Sequence, residues 1–214
     1  MCASTPTCLP SCSSCRKTWA CSRASTASDV GRAFLQEQLS PAVLAAVQEG
    51  TADIGICSMA YMPLGNGQAT PVLQHRPYRE DRLVVVVPEQ HALAHSDSVA
   101  FADVLEWDIV SLQAGSSISL AMRAAAAQAG HALHQRIQVT SLDAMCRMID
   151  NGLGVGLIPD RAFELMHGVG HLRALELSDD WARRELSIVA RDFDALPVTA
   201  RLLVEHLSPP ASAS

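Results

Sequence analysis

Past residue 21 the chain is poor in cysteine: only Cys57 and Cys146 remain, the other five falling in "MCASTPTCLPSCSSCRKTWAC". Each of the two sits in an apolar segment and reads as a buried free thiol rather than half of a bridge. This predicts a reducing compartment, the cytoplasm. Positive charge is also scarce, with 16 Lys and Arg against 22 Asp and Glu and a formal net charge of −6. No basic stripe exists to neutralise phosphates, which excludes direct binding of nucleic acid by these residues. No apolar run approaches the roughly 20 residues that span a bilayer. The first residues lack the apolar stretch of a secretory signal, since Pro6, Pro10 and many serines interrupt any such run. Neither a G-x-S-x-G nucleophile nor a motif of paired acid and base is present, so the chain is not expected to be an enzyme.

What is there is globular. The 214 residues are 49% hydrophobic and 18% charged, enough for one large domain or two small ones. From Asp29 onward strands alternate with helices of about ten residues. "RAFLQEQ" reads as a strand; Ser40 caps a helix with Pro41 at its first position and Gly50 at its end. The strands "DIGIC", "RLVVVVP", "DIVSL", "RIQV", "VGLIP", "LRALEL" and "ELSIVA" follow in order. Helices are expected near Val99–Trp107, from Ser117 to Gly130, from Ser141 to Asn151, near Asp160–His167 and from Pro197 to Leu207. A loose stretch runs from Met59 to Pro71, and "SPPASAS" reads as a frayed tail. The alternation predicts an α/β fold of two Rossmann-like subdomains with mixed, mostly parallel sheets. Crossings between them are expected around "QHRPYRED" and "HGVGHLRAL", with a ligand crevice between the halves. The expected division is 29–77 with 168–207 for subdomain I, 78–167 for subdomain II, and 208–214 as a tail.

Two helix starts carry hydroxyls. Ser116 and Ser117 follow the strand ending at Leu112, and Thr140 and Ser141 follow "RIQV". The unpaired N–H groups and partial positive charge of a helix start can hold a carboxylate, to which hydroxyls add donors without fixed charge. The plainer reading makes these residues N-caps, and one residue can do both. "GLGVG" lies between a helix end and a strand, whereas a dinucleotide fingerprint follows a strand and opens a helix. His91 with His95, and His167 with His171, lack an accompanying ligand cluster and read as solvated histidines rather than a metal site. Arg123, Arg147 and Arg173 read as surface ion pairs before anion ligands. No cofactor or metal is expected.

Four stretches carry a resemblance: "LSPAVLAAVQEGTADIGIC", "DRLVVVVPEQHALA", "WDIVSLQAGSSI" and "TSLDAMCRMIDNGLGVGLIP". In that order and spacing, from about Asp29 to Leu207, the chain resembles the effector-binding domain of LysR-type transcriptional regulators, a fold similar to type 2 periplasmic binding proteins. The resemblance implies a small-molecule effector between two subdomains, carboxylate-bearing by the helix-start chemistry above, touched by Ser116, Ser117, Ile118, Thr140 and Ser141, with Ser58 and Met59 on the opposite wall. It also implies a homodimer or tetramer that contacts DNA through an amino-terminal helix-turn-helix, of which no pattern stands before Asp29. A stand-alone solute-binding protein is the alternative, and it calls for the secretory signal that the opening lacks.

Where the family has a first strand and helix, this sequence has its cysteine-rich opening. Taking the third base of each codon with the first two of the next re-reads residues 1–28 as "VRVYANLSAVVQFLPEDLGMFARKHRI" under free choice of wobble bases. That string is a strand, a turn and an amphipathic helix. Residues 1–28 therefore read as an irregular, out-of-frame segment that leaves the first subdomain without its first strand. The competing reading, a metal or disulfide cluster of Cys8, Cys12, Cys15 and Cys21, has one C-x2-C and no second knuckle.

Overall fold

A single strand of fifteen residues, β4 (Gln74–Pro88), organises the chain. The computed structural model describes residues 18–22, 33–58, 73–166 and 168–208. The first half of β4 pairs antiparallel with β10 (Arg183–Ala190), through residues 74–82. From Leu83 onward it pairs instead with β8 (Gly156–Pro159) on one side and β9 (Leu172–Leu177) on the other. The change of partner falls where the sequence changes from "QHRPYREDR" to "LVVVVP". Leu83, Val85, Val86 and Val87 are fully buried, as a strand covered on both faces requires.

The first half of the fold is a sheet in the order β2 (Phe34–Gln38), β1 (Thr18–Ser22), β3 (Ala52–Ser58), β10, β4. Helix α1 (Ser40–Glu49) crosses from β2 to β3 over β1, and Gly50 ends it at φ 74°. A Cβ on Gly55 would lie 2.3 Å from Val43 Cγ1, so glycine in β3 lets α1 approach the sheet. Val43, Val47, Cys57 and Val189 form the core under α1. The last helix, α6 (Val198–Leu207), closes the other face over Ile54, Ile188 and Phe193.

The second half holds the larger core. It contains β5 (Ser98–Val99), α2 (Phe101–Val104), β6 (Ile109–Leu112), α3 (Ser117–Gln128), β7 (Gln135–Val139), α4 (Leu142–Asp150) and α5 (Asp160–Glu164), packed with β8 and β9 on the apolar end of β4. Met122 from α3, with Met145 and Ile149 from α4, is fully buried there.

The α/β class and the mixture of strand directions agree with the sequence reading, but the balance of directions differs. Among the described residues parallel pairing is confined to β5 with β9, β6 with β7, and a bridge from Ile109 to Val155. The pairs made by β4 and β10 are antiparallel because these two long strands cross between the halves beside one another. The return crossing also lies later than "HGVGHLRAL". Leu172–Leu177 pairs with the second half of β4, so the chain goes back between Ser178 and Arg183. At the opening, where an irregular segment is expected, Thr18–Ser22 forms β1 between β2 and β3, antiparallel to both. Backbone N–H and C=O groups pair whatever the side chains, and two strand edges held apart by a crossover offer such a slot. The Met59–Pro71 stretch and the tail beyond Ser208 lie outside the described residues.

Candidate functional site

The start of α3 stands between the two halves. Ser116 is its N-cap, its Oγ accepting the Ser119 N–H at 3.1 Å. Helix geometry leaves the amides of Ser117 and Ile118 without carbonyl partners inside the helix. The start of α1 faces it from the other half: a Cβ on Gly115 would lie 2.7 Å from Leu39 Cδ1. The cap position of α1 is Leu39, not Ser40, which is the first helical residue and is buried. An apolar residue holds the cap because its side chain meets the Gly115 loop across the junction.

Beside α3 lies the most buried charge pair of the described residues. Arg184 Nη2 donates to Asp81 Oδ2, with 6% of the Arg184 side chain and 2% of the Asp81 side chain exposed. The two residues are directly opposite in the β4–β10 ladder, two positions before β4 changes partner at Leu83. Arg184 Nη1 reaches Ser117 Oγ at 3.3 Å. Leu186 is opposite Ser58 in the β3–β10 ladder, which places Ser58 diagonally beside Arg184 on one face of the sheet. Ser58 Oγ, Ser119 Oγ, Ser187 Oγ and Arg184 Nε are buried without a hydrogen-bond partner among the described residues. An open cleft of about 460 Å³ runs along this crossing, lined by residues 80–82, 160–161 and 183–185.

The expected site residues therefore separate. Ser58, Ser116 and Ser117 are gathered near Arg184, whereas the Ile118 side chain is 5% exposed and belongs to the core of the second half. Thr140 and Ser141 are exposed at the start of α4, where Ser141 Oγ caps the Ala144 N–H at 3.2 Å. Met59 lies outside the described residues. Arg184 and Asp81 escape a reading by motif, because neither belongs to a spaced pattern. The one available signal is that two charges occur where strands turn apolar.

The three arginines weighed from sequence make local contacts. Arg147 pairs with Asp143 at 3.0 Å along α4, and this contact raises its pKa. Arg173 pairs with Asp97 at 2.6 Å, and Arg123 donates to Gln135 at 3.3 Å. His91 is more than a solvated group: its Nδ1 accepts the Leu93 N–H at 3.2 Å and its ring meets Trp107 edge-on. Burial lowers its pKa, which suits the neutral acceptor it is here. His171 is exposed beside Glu89, and His167 lies outside the described residues. "GLGVG" joins the end of α4 to β8. Burial pushes the thiols of Cys57 and Cys146 up to about 11. Among the described residues no group of three or more His, Cys, Asp or Glu is placed to hold a metal ion. No described helix is long and apolar enough to cross a membrane.

Known proteins share this architecture. The family described as LysR substrate binding domain matches residues 32–209. A probable RuBisCO transcriptional regulator of Cyanophora paradoxa is 24% identical over 134 residues, 61% of this chain and 41% of that protein. The chain thus spans about two fifths of that relative's length. Two solved structures share the fold. The regulatory domain of CcmR from Synechocystis PCC6803, in complex with 2-PG, has a TM-score of 0.65 and 17% identity over 78% of this chain and 76% of its own. The effector-binding domain of QuiR in complex with shikimate has a TM-score of 0.64 and 17% identity, with the same 78% and 76% coverage. The family is one of regulator domains that bind a small molecule, not of enzymes. With 178 consecutive residues matched, the chain belongs to the LysR substrate-binding domain family.

Proposed function

We propose that this chain is the effector-sensing part of a LysR-type transcriptional regulator and takes a small anionic metabolite between its two halves. The halves are residues 18–22, 33–58 and 73–82 with 183–208, and residues 83–166 with 168–182. One observation carries the reading: the first turn of α3, with its unpaired amides, stands beside the buried Arg184 guanidinium and opposite the start of α1. A helix start and a cation together select a carboxylate or phosphate. The ligands of the similar structures, 2-PG and shikimate, are the natural probes.

Ser58, Ser116 and Ser117 contact the ligand through their hydroxyls. Ile118 contributes its backbone amide. Thr140 and Ser141 form the outer rim, and Met59, next to Ser58 in sequence, is a further contact. Binding favours a closed arrangement of the halves that exists before the ligand arrives, and the oligomer responds. The assembled regulator is a cytoplasmic homodimer or tetramer, and DNA contact falls to a helix-turn-helix domain that residues 29–208 do not provide. Thermal unfolding with increasing 2-PG or shikimate tests this. A ligand that binds only the folded state adds about 2.7 kcal/mol at a hundred times its Kd, so Tm should rise and keep rising with the logarithm of concentration. A flat Tm with both, and with a wider set of small carboxylates and phosphates, contradicts the proposal.

A further inference from the structure

The geometry points to Arg184 as the charge-selecting residue of the crevice, with Asp81 as a built-in competitor that an entering anion must displace. This rests on the effector reading above and makes its electrostatics specific.

A buried ion pair that serves only the fold uses its donors fully, because each unpaired group in a dry interior is unfavourable. The pair here does not. A guanidinium carries five N–H donors. Asp81 takes Nη2, Ser117 Oγ takes Nη1 at 3.3 Å, and Nε is buried with no partner among the described residues. Beside it stand the Ser58 hydroxyl, also buried without a partner, and the amides at the start of α3. Among the described residues, the carboxylate that accepts from this guanidinium is that of Asp81. An incoming carboxylate or phosphate binds a guanidinium in a bidentate manner through two adjacent N–H groups. It would use Nε and one Nη, with Ser117 and the α3 amides holding its remaining oxygens.

The position of the pair gives the exchange a mechanical consequence. Asp81 is on β4 and Arg184 on β10, the last pair but one of the ladder before β4 changes partner at Leu83. Ser117 belongs to the second half of the fold. Arg184 thus ties both crossing strands to α3. Moving its charge from Asp81 toward an anion at α3 alters the link between the halves. Asp81 also sets selectivity, since a neutral ligand cannot compete with a carboxylate already on the guanidinium.

The test is calorimetric titration of the full chain with 2-PG, shikimate and inorganic phosphate, on wild type, Asp81→Asn, Arg184→Gln and the exchanged pair Asp81→Arg with Arg184→Asp. Asp81→Asn is expected to bind the anions on the order of tenfold more tightly, and Arg184→Gln on the order of tenfold more weakly. The exchanged pair keeps opposite charges across the same ladder position but moves the cation to β4, so it should stay folded and bind as weakly as Arg184→Gln. Binding to wild type that neither Asp81→Asn nor Arg184→Gln changes by more than about threefold overturns the exchange and leaves the effector site standing. Anion binding absent from both wild type and Asp81→Asn overturns the effector site as well. If Asp81→Asn does not fold by circular dichroism, the exchanged pair decides: binding equal to wild type contradicts the proposal.

Discussion

The starts of α3 and α4 use the same local chemistry and meet different surroundings. Each begins with a serine whose hydroxyl accepts an N–H three residues on, at 3.1 Å for Ser116 and 3.2 Å for Ser141. At α3 a buried arginine reaches the next hydroxyl, and the loop before the helix touches the start of α1. At α4 Thr140 and Ser141 are exposed, and the nearby charge pair, Arg147 with Asp143, lies along the helix's own surface. A cap is a property of four consecutive residues. A binding site needs a neighbour from another part of the chain, and Arg184 is 67 residues from Ser117.

The largest effect should come from breaking the feature that separates the two starts. Arg184→Ala removes the guanidinium from the buried Asp81 carboxylate and is expected to lower stability by about 3–5 kcal/mol in urea unfolding. Arg147→Ala, at the exposed pair, is expected to change it by less than about 1 kcal/mol. Next comes the anchoring of α4. If its apolar face rather than its cap holds it, Ile149→Ala, which empties a fully buried site, should lower stability by about 2–5 kcal/mol. A smaller pair of changes sharpens the contrast. Ser116→Ala and Ser141→Ala should each lower stability by about 1 kcal/mol. Only Ser116→Ala should also weaken 2-PG or shikimate binding, as read by calorimetry.

A pH-dependent comparison uses one thiol from each region, Cys57 at the end of β3 and Cys146 on the buried face of α4. Both have pKa values raised from 9.0 to about 11 by burial, with Asp143 adding to the rise at Cys146. The unfolded chain ionises these thiols first, so their contribution is whole below pH 9 and is lost as pH rises toward about 11. The double variant Cys57→Ala, Cys146→Ala should therefore lose less stability across that window than wild type. A parallel decline of the two urea midpoints would contradict the burial of the thiols.

Local signals were legible in the sequence and pairing was not. Gly50, Ser116 and Ser141 mark helix ends by chemistry within one turn, and the valine run of β4 announces a strand covered on both faces. The direction and partners of β4 and β10 depend on residues a hundred positions apart, such as Asp81 and Arg184, which no period or motif connects. For the same reason the return crossing was expected too early. Ile118 shows the limit within a motif: next to the half-buried Ser116 and Ser117 in sequence, it turns into the core because a helix repeats every 3.6 residues.

Amide hydrogen exchange, with and without saturating 2-PG or shikimate, tests the central claim most directly. Binding between the halves at α3 predicts slowed exchange at Ser117, Ile118 and Ser119 and at residues 183–185 on the crossing strand. Amides at 141–143 should stay unchanged or nearly so. Slowing confined to the start of α4, or none at α3 under conditions where the ligand stabilises the protein, would contradict it.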